Sequence, residues 1–243
     1  VLTAGGGIHS ARSVNIADST ISDNRASAGA GIHVVDGGLN LSRSTVSGNI
    51  GRLNGGGIFA NTHLAIVNST ITGNSAMRGG GVMVSSGSQA RISYSTISGN
   101  SVQRNHATQA LGGGGLYVIG QLHMTGTIAA GNTMEAGGLG ADIRVSSNGD
   151  AISFGYNLIG SLTDSGFTAV ASDGHSLPAG LLPLADNGGP TWTMLPKSDS
   201  FAVNNGHAVE CQDTLGQQIR YDQRNTLRAQ GGHCTIGAVE LND

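Results

Sequence analysis

Gly55-Gly56-Gly57-Ile58-Phe59-Ala60, then Leu64-Ala65-Ile66, then Ser69-Thr70-Ile71-Thr72-Gly73-Asn74: this stretch holds one full copy of a unit that repeats along the chain. The glycine cluster with its following aliphatic residue recurs at Gly5-Gly6-Gly7-Ile8, Gly29-Ala30-Gly31-Ile32, Gly79-Gly80-Gly81-Val82 and Gly113-Gly114-Gly115-Leu116. The Ser-Thr-aliphatic step closing on asparagine recurs at Ser19-Thr20-Ile21, Ser44-Thr45-Val46 and Ser95-Thr96-Ile97, with a degenerate copy at Thr127-Ile128. The closing residues are Asn24, Asn49, Asn74, Asn100 and Asn132, spaced 25, 25, 26 and 32 residues apart. Self-similarity at such a period decides the architecture before local propensity does.

Between the markers lie short alternating runs, among them Leu39-Asn40-Leu41, Leu64-Ala65-Ile66 and Leu122-His123-Met124. Alternation at period two means strands with one face buried. Copies of this length, with about three short strands each and glycine or asparagine at the corners, describe coils of an all-β parallel β-helix. Stacked coils sit about 4.8 Å apart, which lets the five asparagines form a ladder, each amide bonding its neighbours above and below. Leucine-rich repeats are excluded because the asparagine follows the wrong strand. Calcium-binding nonapeptide repeats are excluded because no aspartate follows the glycine clusters at the needed offset.

The expectation is about six coils over residues 1–160, with a surface insertion at 101–112 and a sixth coil through Gly140-Ala141-Asp142-Ile143 and Tyr156-Asn157-Leu158-Ile159. The composition then changes. All four prolines (Pro178, Pro183, Pro190, Pro196), the lone Trp192 and both cysteines follow residue 177. Residues 161–243 are therefore expected to form an irregular cap over the open end of the stack. Cys211 and Cys234 read as one disulfide worth roughly 3 kcal/mol in an oxidising compartment; the alternative is a pair of buried thiols. The sequence starts at Val1 without a leader, which suggests a processed form or a piece of a longer protein. Val1 also leads straight into a glycine cluster, so the first coil is expected to invite another strand edge, by coil-on-coil stacking with another copy or from a missing upstream region.

Glycine numbers 41 in 243 residues, more than twice the usual share of roughly 7%, yet it follows no collagen period. A net charge of −3 excludes the basic footprint of a nucleic-acid binder. No apolar run approaches the roughly 18 residues of a membrane span, so no membrane insertion is expected. No cofactor or metal site is expected either.

Alternation places one row of side chains outside the first strand of each coil: His9, His33, Phe59, Met83, Tyr117 and then Arg144. Rings and imidazoles stacked in this way suit a sugar chain or a protein partner. Thr20/Ser22, Thr45/Ser47, Thr70/Thr72 and Thr96/Ser98 make a second, flat hydroxyl face, whose groups are expected to satisfy one another between coils. Catalysis on such a fold needs clustered carboxylates. Residues 1–134 contain only Asp18, Asp23 and Asp36, and no neighbouring copy supplies Asp18 or Asp23 with a partner; Asp142 and Arg144 are the next acid and base.

The GGG[IV] and [ST]xx[GD]N pairs resemble the repeats of chlamydial polymorphic outer-membrane proteins and related bacterial β-helix proteins. Leu184-Ala185-Asp186-Asn187-Gly188-Gly189-Pro190-Thr191, Asp222-Gln223-Arg224, Arg228 and Cys234-Thr235-Ile236-Gly237-Ala238-Val239-Glu240 resemble the end of large bacterial surface proteins with choice-of-anchor Q regions. The resemblance implies a right-handed coil, as the general chirality of crossovers also does. It further implies an exported bacterial protein of the cell surface or of an extracellular filament, structural or adhesive, with no catalytic residues. Its expected partners are itself or a surface glycan. The alternative is a carbohydrate-binding or carbohydrate-active β-helix working along the His9–Arg144 row.

Overall fold

The structure, a computed structural model, describes residues 4–103, 112–134, 139–228 and 232–241. Its regular elements are all strands, and every ladder between named strands is parallel. The chain winds as a β-solenoid of about five complete turns, each contributing one strand to each of four sheets. The third turn shows the plan: Ile58–Ala60, His63–Val67, Thr70–Thr72 and Ser75–Ala76 lie on the first to fourth sheets in that order. The count of strands per turn is thus four, not three; the added strand follows the ladder asparagine, where Ser75-Ala76 is too short to show alternation. A sixth turn is incomplete. It has Ile143–Val145, Asp150–Ser153 and Leu158–Ile159 but no fourth strand.

The core is a column of aliphatic side chains, one per inward position. In the third turn Ile58, Ala60, Leu64, Ile66 and Ile71 are all buried, and the turns before and after supply their counterparts. Each full burial of a large aliphatic contributes about 1.5–3 kcal/mol. Corners are sharp and left-handed. Gly57 shows why the cluster must be glycine: a Cβ there would lie 2.6 Å from the Gly81 carbonyl and 3.1 Å from the Asn74 amide.

Two side-chain ladders run down the stack. Asn24, Asn49, Asn74 and Asn100 each donate backbone N–H and Nδ2 to the Oδ1 of the next asparagine at 2.9–3.1 Å. The second Nδ2 hydrogen of Asn74 reaches back to the Val46 carbonyl at 2.9 Å, so the buried amide is fully used. Asn132 closes this ladder on Asp142 Oδ1. At another corner the backbone N–H groups of Ser19, Ser44, Ser69 and Ser95 donate to the hydroxyls of Ser44, Ser69, Ser95 and Thr127. Thr127 then donates to Asn157 and Asn157 to Asp173. Both ladders end on a carboxylate, which only accepts.

The region after residue 160 does two things, where an end cap alone is expected. Leu162, Phe167 and Ala169 pack on the last turn of the core, and Gly174–His175 adds a seventh strand to the third sheet. From Leu177 onward the chain turns back and runs along the flank as a strap. Ala202 and Ile236 pack against Ile128 and Leu158. The strap carries short antiparallel bridges, such as Ala185 with Thr193, in place of regular strands.

Candidate functional site

The strap grips the corner between the second and third sheets. There Asp18, Arg43, Asn68, Tyr94, Gly126 and Tyr156 form a column with φ between 43° and 58°. Left-handed backbone costs a non-glycine residue about 1 kcal/mol or more, and the return is visible in what these residues hold. Asn68 donates to the Tyr221 carbonyl at 2.7 Å and accepts from Arg228 at 2.8 Å. Arg228 is buried, pairs with Glu240 at 3.1 Å and lies 4.6 Å over the Tyr94 ring. Burial pulls the Arg228 guanidinium down while Glu240 and Asp222 push it back up; burial pushes the Tyr94 phenol upward. Gly126 has no side chain because a Cβ would lie 2.7 Å from the Tyr94 ring. Cys211 and Cys234 form a disulfide beside Tyr94, with Cα atoms 5.9 Å apart.

The hydroxyl face lies beneath this strap. Thr45 Oγ1 donates to the Trp192 carbonyl, Thr70 Oγ1 to Gln223, and Thr96 Oγ1 accepts from the Ala238 N–H. Gln223 is buried and its Nε2 reaches Thr45 and Thr191 at 3.0 and 2.9 Å. These threonines bond the strap rather than one another, because the returning chain supplies partners that the repeat alone cannot show.

The six residues of the outward row do fall in one register: His9, His33, Phe59, Met83, Tyr117 and Arg144 are successive Cα partners on the first sheet. Their surfaces differ. His9 is exposed, Phe59, Tyr117 and Arg144 are half-buried, and His33 and Met83 are buried. The His33 ring stacks on Phe59 at 5.0 Å and meets the His9 ring at 5.0 Å with the planes tilted by 54°, so the His33 face toward Phe59 is already occupied. Among the described residues neither ring nitrogen of His33 has a hydrogen-bond partner. Burial, with His9 beside it, holds the His33 imidazole below its ordinary value. Arg144 donates to the Asp164 carbonyl at 2.7 Å. The insertion expected at 101–112 lies mostly outside the described residues.

The acids are dispersed into structural work. Asp18 pairs with Arg43 of the next turn at 2.6 Å, a partner that the sequence reading does not supply. Asp142 ends the asparagine ladder; burial pushes its carboxyl up and the Asn132 amide pulls it back. Asp173 ends the other ladder, and Asp222 binds Arg224 and the Glu240 N–H. Among the described residues no three His, Cys, Asp or Glu side chains are grouped to hold a metal.

A cleft of about 600 Å³ opens where the strap crosses the first three turns. Thr20, Ser22, Ser47 and Thr72 form its floor, and Leu184 and Trp192 its wall. Asp23 stands at its corner over Gly48, where a Cβ would lie 2.4 Å from the carboxylate. Reading the sequence places Trp192 in a cap and Asp23 in an ordinary turn. A lone tryptophan in an aromatic-poor chain is the one signal that singles out this place. No family model, curated protein or solved structure matches the chain.

Proposed function

We propose that this chain is an exported, structural or adhesive β-solenoid of a bacterial surface or extracellular filament, with no catalysis of its own. The observation that carries the reading is the strap that runs along the repeat flank and is closed on itself by the Cys211–Cys234 disulfide, beside Tyr94. A disulfide inside a polar strap suits an oxidising compartment. The residues that resemble choice-of-anchor Q regions support the same reading. Gln223 and Arg228 are buried ties from the strap to the repeats, Asp222 and Glu240 bond within the strap, and Thr191 donates to the Arg43 carbonyl at 3.1 Å. The GGG[IV] and [ST]xx[GD]N repeats likewise account for the corners and ladders of a rigid rod. Rigidity is what a stalk or a surface adhesin requires. A glycoside hydrolase needs a pair of available carboxylates; here Asp18, Asp142, Asp173 and Asp222 are committed to other contacts.

The test is to display the full chain on bacterial cells and measure its thiols, its self-association and the adhesion of those cells. The reading expects blocked cysteines, together with adhesion or ordered assembly visible by light scattering and electron microscopy. Free thiols in the native protein, or release of new reducing ends from polysaccharides by the purified chain, overturn it.

A further inference from the structure

The geometry points to the cleft beside Trp192 as a binding site for a neutral oligosaccharide, distinct from the His9–Arg144 row. It gives the adhesive reading a ligand and rests on that reading only for its biological setting. Three observations carry it.

First, Trp192 is 55% exposed although its residue is firmly mounted. Its carbonyl accepts from Thr45 Oγ1 at 2.6 Å, and the Ala185–Thr193 bridge with Asn187 fixes the loop around it. An exposed indole on a fixed backbone offers a stacking platform, with only its two side-chain torsions left to order.

Second, the two hydroxyl columns of the third sheet have different fates. Thr45, Thr70 and Thr96 are consumed by the strap. Ser22, Ser47 and Thr72, facing the cleft, make no side-chain hydrogen bond to any described residue. They recur at the strand spacing of about 4.8 Å and offer both donors and acceptors.

Third, Asp23 is exposed at the cleft's corner without an ion pair among the described residues. Its carboxylate is suited to accept strong bonds from adjacent hydroxyls of a ligand and repels polyanions. A sugar ring matches this set: its C–H face suits the indole, its hydroxyl rim suits the floor, and a pair of hydroxyls suits Asp23. The volume is that of a small-ligand site.

Trp192 is the only tryptophan of the chain, so emission excited selectively at the indole, beyond the tyrosine band, reports on this cleft. The full chain is titrated with hexasaccharides of β-1,4-glucose, α-1,4-glucose, N-acetylglucosamine and mannose. Polygalacturonate and choline serve as anionic and cationic probes. The expected result is a saturable emission shift with at least one neutral hexasaccharide. Calorimetry should then show binding weakened roughly tenfold or more in Trp192→Ala and weakened in Asp23→Ala. Thermal midpoints should stay unchanged, since the Thr45 contact is to the 192 backbone. No shift with any neutral sugar, or a shift with choline or polygalacturonate alone, overturns the proposal. Adhesion without a shift sinks this site and leaves the adhesive reading standing; a sugar-induced shift without adhesion does the reverse.

Discussion

The solenoid and its strap are held by opposite strategies. In the solenoid each bond is repeated, so the turn around Asn49 and the turn around Asn74 use the same amide in the same way. In the strap nearly every bond is unique: Gln223 has no equivalent, and Arg228 alone joins Asn68, Glu240 and the Gly237 carbonyl. A repeated bond can be lost at one level while its neighbours hold. A unique buried anchor has no such reserve. The difference predicts where the molecule is vulnerable.

The sharpest break is Arg228→Ala. It breaks the buried ion pair with Glu240 and removes the tie to Asn68, so we expect a loss of about 3–5 kcal/mol. Denaturant unfolding should show it, with limited proteolysis cutting the strap before the repeats. Cuts appearing first within the solenoid contradict the division made here. Next comes Asn74→Ala, which strands the donors of Asn49 inside the stack and should cost about 3 kcal/mol. Asn24→Ala, on the half-buried first rung, should cost about 1 kcal/mol; equal losses at the two sites argue against a cooperative ladder. Replacing Cys211 and Cys234 together with serine should cost about 3 kcal/mol and raise proteolysis in the strap alone. The smallest effect is acid sensitivity through His33. Its imidazole titrates below the ordinary 6.5 in the folded state, so the unfolded chain binds the proton more readily. Stability is then full above pH 6.5 and declines as pH falls through the depressed value. His33→Phe should flatten that acid limb in pH-dependent unfolding midpoints; an unaltered limb assigns it to other groups.

The same contrast explains what was legible in the chain. The β-solenoid follows from Gly55-Gly56-Gly57-Ile58 and its copies, because a period multiplies a weak local signal. The register of His9 through Arg144 follows from the same arithmetic. Burial of His33 and Met83 does not, since alternation names the face and says nothing of what covers it. The strap's path was not legible at all. Thr45 and Trp192 are 147 residues apart, and no periodic pattern links a side chain to a partner used once. The cleft inherits that opacity, with its floor written in the repeat and its wall in the strap. The end of each ladder lay in plain sight, yet Asp142 looks like a candidate acid until Asn132 is seen beside it.

The strap also measures. Its anchors are tied to particular turns: Thr191 to Arg43, Gln223 to Thr70, Thr214 to Ser93 and Gly237 to Gly126. Inserting one more copy of the repeat between Arg43 and Gly126 would satisfy both ladders and extend the core. It would also carry one set of anchors about 4.8 Å away from the other. A solenoid by itself has no preferred length, since each turn is as good as the last. The chain that folds back along this one acts as a ruler, and its graduations are single side chains.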